Sequence, residues 1–187
     1  MAKLKKQHMT IHWKAIVQDD SSIPATEATL KEKATLVGRI GLMMLSVGTG
    51  AWRVRNSMNK VSRCLGITCT ADIGLLAISY TCIEGTDTYT QSISLPTTGV
   101  NTHKLMELEL FMKEFPDKVS TCSVKHIHEV LDEIQKFPAN YKAWNLGLAS
   151  ALACGAFTFL LGGGPVEMCC AFLGAGVGNF VRKKMLG

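Results

Sequence analysis

From Thr26 onward the apolar positions Leu30, Ala34, Val37, Ile40 and Met44 recur at steps of three and four. That period puts them on one face of a helix, which Gly48 and Gly50 close. A second helix carries Val54, Met58, Val61 and Leu65 on one side, with Arg53, Arg55, Asn56, Lys60 and Arg63 on the others, and Gly66 stops it. The period then shortens. The run ITCTADIGLLAISYTCI is rich in β-branched and apolar residues, and EGTD and TYTQSISL follow it. This predicts a short strand near Ile67 to Ala71 and a β-hairpin with Glu84 to Asp87 at its turn. Leu95, Pro96 and Gly99 end the strands. Asn101 is placed to cap a helix carrying Leu105, Leu108, Met112 and Phe115, which Pro116 ends. Ser123 caps another, with Ile127, Leu131 and Ile134 on its apolar side and Pro138 just past its end.

Residues 1–24 show no sustained period and end in DDSSIP, the pattern of an N-terminal tail or linker. The expected α+β domain over residues 25–140 therefore reads helix-helix, small antiparallel sheet, helix-helix.

Charged residues are frequent as far as Lys142 and then vanish until Glu167, so Ala143 to Val166 is a run of 24 residues without a charge. At about 1.5 Å per residue this exceeds the roughly 30 Å thickness of a bilayer's hydrocarbon core. Leu146, Leu148, Leu152, Phe157, Phe159, Leu160 and Leu161 each favour insertion by roughly 0.3 to 0.6 kcal/mol, about 3 kcal/mol together. Asn145, Ser150 and Thr158 offset part of that, which predicts protein neighbours as well as lipid. Gly147, Ala151 and Gly155 repeat every four positions and offer a groove to another helix. Gly162 to Pro165 make a tight turn, and Met168 to Val181 adds 14 uncharged residues before Arg182, Lys183 and Lys184. The stems of those basic residues can snorkel. Gly174 and Gly178 supply a second small-residue face. A two-helix transmembrane hairpin over 141–187 follows, with spans at about 143–163 and 166–183.

The basic residues, Lys3, Lys5 and Lys6 at one end and the Arg182–Lys184 cluster at the other, place both termini in the cytoplasm by the positive-inside rule. Tyr141 and Trp144 would then lie at headgroup level. The net charge of +5 is modest, and no basic run interleaved with aromatics predicts a nucleic-acid partner. Seven scattered cysteines without a CxxC predict no disulfide framework and no zinc knuckle. The basic N-terminus lacks the apolar stretch of a secretory signal, so the first domain is expected to stay inside the cell with its thiols reduced.

Candidate chemistry is thin. His8 and His12 have the spacing of a zinc pair without a third ligand, and His126 and His128 point to different sides of a helix, so no metal is expected. Cys169 and Cys170 read as small apolar residues of the second span. Neither GxSxG nor a P-loop is present, and the glycines of GAGVG fall inside a span, so neither an enzyme nor a cofactor is expected. Asn145, Ser150 and Thr158 remain as polar groups of the first span, either satisfied by neighbouring helices or lining a substrate path.

The segment GTGAWRVRNSMNKVSRCLG from Gly48 to Gly66 resembles the entry motif of the threonine/serine exporter N-terminal family, in which a small-residue turn leads to an Arg-Val pair opening a helix. The strand pair, LPTTGVNTHKL and the hairpin from Trp144 through GGGP to the basic end follow in the family's order, over roughly residues 30–187. The resemblance matches Arg53 and Val54 to the Arg-Val pair and Asn101 to the Asn opening the next helix, while Arg55 stands where the family has an acidic residue. It implies an inner-membrane, multi-pass secondary transporter exporting threonine, serine or related small carboxylates. Family members carry further spans, which implies that this chain is a fragment, or a subunit working with additional transmembrane subunits in a homo- or hetero-oligomer. The competing expectation is a membrane-anchored interaction or regulatory protein without transport activity.

Overall fold

The computed structural model describes residues 11–17, 23–136 and 142–186. Lys3, Lys5, Lys6, His8, Pro138 and Tyr141, singled out above, lie outside the described residues. The chain divides into two compact units, residues 1–137 and 138–187.

The first unit is built around one helix, α1 (Leu30–Ser46). Thr29 and Glu32 form its capping box, each accepting from the other's backbone N–H, so two of the donors orphaned at the helix start are satisfied. Every residue from Glu32 to Leu45 is buried, because α1 is covered on several sides: by α2 (Ala51–Cys64), by the sheet and by α4 (Val124–Lys136). Between α2 and α4 in the chain lies α3 (Thr102–Val119), whose buried side chains are Leu108, Phe111, Met112, Phe115 and Val119.

Strands β1 (Thr68–Ile73), β2 (Ala77–Glu84) and β3 (Asp87–Ser94) form an antiparallel meander in the order β1-β2-β3. The β2–β3 turn holds two residues, and Gly85, with φ 60°, supplies the positive φ that a type II′ hairpin turn requires at its first central position. Side chains alternate cleanly. Ile78, Tyr80, Cys82, Cys69 and Ile93 are buried, while exposed Ser79–Ser92 and Thr81–Thr90 pair by their hydroxyls across the strands. The ring of Tyr80 enters α1 at Gly38, where a Cβ would overlap the phenol oxygen. Tyr80 Oη in turn donates to Gln91 Oε1 at 2.9 Å.

Two sequence expectations change here. Pro116 does not end its helix; α3 continues to Val119. Proline lacks the N–H that would reach the carbonyl of Met112 four residues back, and Lys60 Nζ of α2 donates to that carbonyl at 2.8 Å instead. The freed acceptor is thereby satisfied from the neighbouring helix. Residues 11–17, expected within a tail, bring Ile11 and Trp13 into the core around a single 3-10 turn at Trp13–Ala15.

The second unit consists of α5 (Ala143–Leu160) and α6 (Pro165–Leu186). They are joined at Gly162, whose φ of 85° and N–H bond to Phe159 O, with Gly163 N–H on Thr158 O, complete a Schellman stop.

Candidate functional site

Within the second unit α5 and α6 run antiparallel through the small residues of α5. A Cβ on Gly147 would lie 3.0 Å from Gly176 O and 3.2 Å from Phe180 Cβ, and one on Gly155 would lie 3.7 Å from Phe172 Cβ. Ala151 between them is buried. The partner on α6 is Gly176, whose own Cβ would stand 3.0 Å from that of Ala151. Gly176 falls outside the four-residue repeat of Gly174 and Gly178, so the spacing of small residues along α6 alone does not single it out. Gly174 and Gly178 face open space. Trp144 meets Phe180 edge-on at 6.2 Å.

Much of the remaining apolar surface of α5 points outward. Leu152 is 58% exposed, Phe157 and Phe159 are each 65% exposed, and Leu160 is 75% exposed. Among the described residues α5 is the one helix long and apolar enough to cross a membrane. Of the polar residues on α5, Asn145 is exposed and Ser150 half-buried. The Thr158 hydroxyl donates to Cys154 O, one turn back, at 2.9 Å, so its hydrogen-bonding need is met within its own helix.

The three motif positions of the first unit have structural partners. Val54 is fully buried, whereas Arg53 is exposed and reaches Glu109 Oε1 of α3 at 2.9 Å. Arg55 donates through Nε to Ala71 O of β1 at 3.2 Å. Asn101 caps α3, its side chain accepting from Lys104 N–H at 3.1 Å, and its own N–H reaches Val47 O past the end of α1.

A polar cluster that the sequence did not reveal lies on the far side of α1. Arg39, 5% exposed, donates through Nη1 to His128 O at 2.8 Å and meets His128 Nδ1 at 3.1 Å. Its Nη2 pairs with Asp132 and with Gln135 Oε1. Trp13 stacks on His128 at 4.8 Å, and its indole N–H donates to Asp132 at 3.3 Å. Since Nδ1 accepts from Arg39, His128 carries its proton on Nε2, which is buried without a partner among the described residues. Burial, and then the charge of Arg39, push the His128 pKa down to about 3, with Asp132 opposing. Burial raises the Asp132 pKa, but the bond and charge from Arg39 and the bond from Trp13 outweigh it and leave the carboxyl below its ordinary range. The cluster borders a cavity of about 670 Å³ that Lys14, Leu42, Met43 and Pro96 also line. The only sequence signal was an arginine in the middle of an otherwise apolar stretch of α1. His126, in contrast, is exposed and 4.0 Å from Glu129.

The family described as "Putative threonine/serine exporter" matches residues 35–187. No curated protein and no solved structure matches the chain. The matched stretch begins inside α1 and takes in every later element of both units, with the Arg53–Val54 pair, Asn101 and the α5–α6 pair among them. On that match the chain belongs to the threonine/serine exporter family.

Proposed function

We propose that this chain is a subunit, or a fragment, of a secondary transporter that exports threonine, serine or related small carboxylates across the cytoplasmic membrane. In this reading α5 and α6 cross the bilayer as a hairpin, with spans at about 143–163 and 166–183. The first unit is a cytoplasmic vestibule or regulatory cap.

The observation that carries the reading is the outward apolar surface of α5 in a chain of an exporter family. Phe157, Phe159 and Leu160 facing water would be costly, whereas facing lipid they favour insertion. The 18 residues of α5 span about 27 Å, close to the roughly 30 Å of hydrocarbon. Arg182, Lys183 and Lys184 at one end of the pair, and the charged first unit before the other, favour a cytoplasmic location for both.

Two helices cannot enclose an alternating-access site, so further spans come from partner subunits or a partner half. Gly174 and Gly178, which pack against nothing in their own unit, offer another helix a close approach. Asn145, Ser150 and Thr158 would face the path completed by such partners, Asn145 being the most accessible of the three.

The test has two arms. After carbonate washing the full chain is expected in the membrane fraction; recovery as a soluble monomer without detergent would overturn the spanning reading. Cells loaded with a threonine-containing dipeptide are expected to release threonine faster when the chain and its neighbouring subunit are present. Retention in the membrane with unchanged efflux of threonine, serine and small dicarboxylates would favour a membrane-anchored interaction protein instead.

A further inference from the structure

Of the seven cysteines, two face each other across a strand pair. Cys69 of β1 is directly opposite Cys82 of β2, and both are buried on the inner face of the sheet. Their pairing type follows from one bond. Gly74 N–H donates to Ala77 O at 2.8 Å, and continuing the β1–β2 register one step past Ile73–Ile78 places these two residues opposite each other as a hydrogen-bonded pair. Types alternate along an antiparallel ladder. Counting back from Gly74, Ile73–Ile78, Ala71–Tyr80 and Cys69–Cys82 are the non-hydrogen-bonded pairs. In such pairs the Cα atoms approach to about 4.5 Å and the side chains come closest, which is within the range a disulfide bridges.

We propose that Cys69 and Cys82 are an oxidisable thiol pair, converted by a low-molecular-weight disulfide into a cystine that joins β1 to β2. The thiolate of Cys69 attacks one sulfur of the small disulfide, forms a mixed disulfide and expels one thiolate. Cys82 then gives up its proton and attacks the Cys69 sulfur, forming the cross-strand bond and expelling the second thiolate. Two protein thiols are oxidised and one small disulfide is reduced to two small thiols, so the electrons and protons balance.

The sheet order assigns the sequence of attack. Cys69, the attacking sulfur, lies on β1, an edge strand with a strand neighbour on one side alone, whereas Cys82 lies on the central strand β2. Local opening of an edge strand needs less energy than opening of a central one, so β1 admits the oxidant before β2 does. In a reducing compartment the pair rests as thiols and responds when the small-disulfide pool rises.

The test uses the full chain in detergent, incubated folded with oxidised glutathione, then blocked, digested and mapped by mass spectrometry. The expected product is the Cys69 peptide joined to the Cys82 peptide, lighter by two hydrogens. It should be absent from Cys69→Ala and from Cys82→Ala, and reversed by dithiothreitol. Because the bond closes a short loop, the oxidised wild type should melt roughly 10 °C higher than the reduced form. Recovery of both residues as free thiols, or their pairing with other cysteines, overturns the proposal. The wild-type map is decisive even if a variant fails to fold.

Discussion

Removing the ammonium of Lys60 tests whether a neighbouring helix repairs the gap that Pro116 leaves. Lys60 Nζ donates to Met112 O at 2.8 Å, on a residue that is 6% exposed. Lys60→Met keeps the stem and removes the donor, leaving a buried carbonyl with no partner from either helix. Such an orphan costs about 1–3 kcal/mol. Lys60 itself is exposed, and water offsets part of that loss, so about 1.5 kcal/mol is expected. Pro116→Ala restores an N–H four residues after Met112. It relieves part of the roughly 3 kcal/mol that proline costs inside a helix, less up to about 1 kcal/mol for a more flexible unfolded chain. A net gain of about 1–2 kcal/mol follows.

The decisive quantity is the coupling. In the Pro116→Ala background, where the backbone supplies the donor, Lys60→Met should cost under about 0.5 kcal/mol, giving a coupling of about 1 kcal/mol, beyond the roughly 0.3–0.5 kcal/mol within which independent sites add. Urea unfolding of the full chain in detergent, followed by far-ultraviolet circular dichroism, gives the four free energies of the cycle. Equal costs of Lys60→Met in both backgrounds would refute the reasoning, because the ammonium would then be doing nothing that the missing N–H explains.

Three other outcomes follow from the same structure. Stability should fall with acidification between about pH 6.5 and pH 3, because the unfolded chain protonates His128 at its ordinary pKa of 6.5 while the folded chain refuses that proton until about 3. The depressed Asp132 carboxyl adds a loss of the same sign at the acid end; a urea midpoint unchanged across this range, or an equal slope in His128→Gln, would contradict it. Gly38→Ala should destabilise by about 2 kcal/mol, overpacking against the buried Tyr80 ring outweighing the helix-propensity gain of about 1 kcal/mol; a thermal midpoint equal to or above wild type would refute it. Gly176→Leu should separate α5 from α6 whereas Gly174→Leu should not, read from disulfide trapping between cysteines placed at positions 148 and 177; equal trapping in both variants would refute the assigned face.

Sequence periodicity was enough wherever a segment has one buried face. The strands show this, since Ile78, Tyr80 and Cys82 alternate with exposed neighbours. So do the caps, with Asn101 and Ser123 accepting backbone N–H bonds at the starts of α3 and α4, because a cap is a contact between residues three apart. The family was legible too: a family match now covers the residues that carried the resemblance.

Local pattern could not reach contacts that join segments far apart in the chain. Pro116 reads as a stop until Lys60, 56 positions earlier, is seen on the carbonyl it leaves free. Arg39 reads as a polar interruption in an apolar stretch until Asp132, Gln135 and His128 surround it, and Trp13 reads as part of a tail until it stacks on that histidine. By itself the sequence determined the helices and strands after Thr26, apart from where α3 ends, and also the charge-free stretch after Lys142 and the family, all of them properties of neighbours along the chain. Tertiary structure alone decided how the buried charges and the freed carbonyl are satisfied, and that Gly176 rather than Gly174 or Gly178 meets α5. A buried polar group or a close backbone approach is defined by what stands opposite it in space, and that partner is fixed only when the chain has folded.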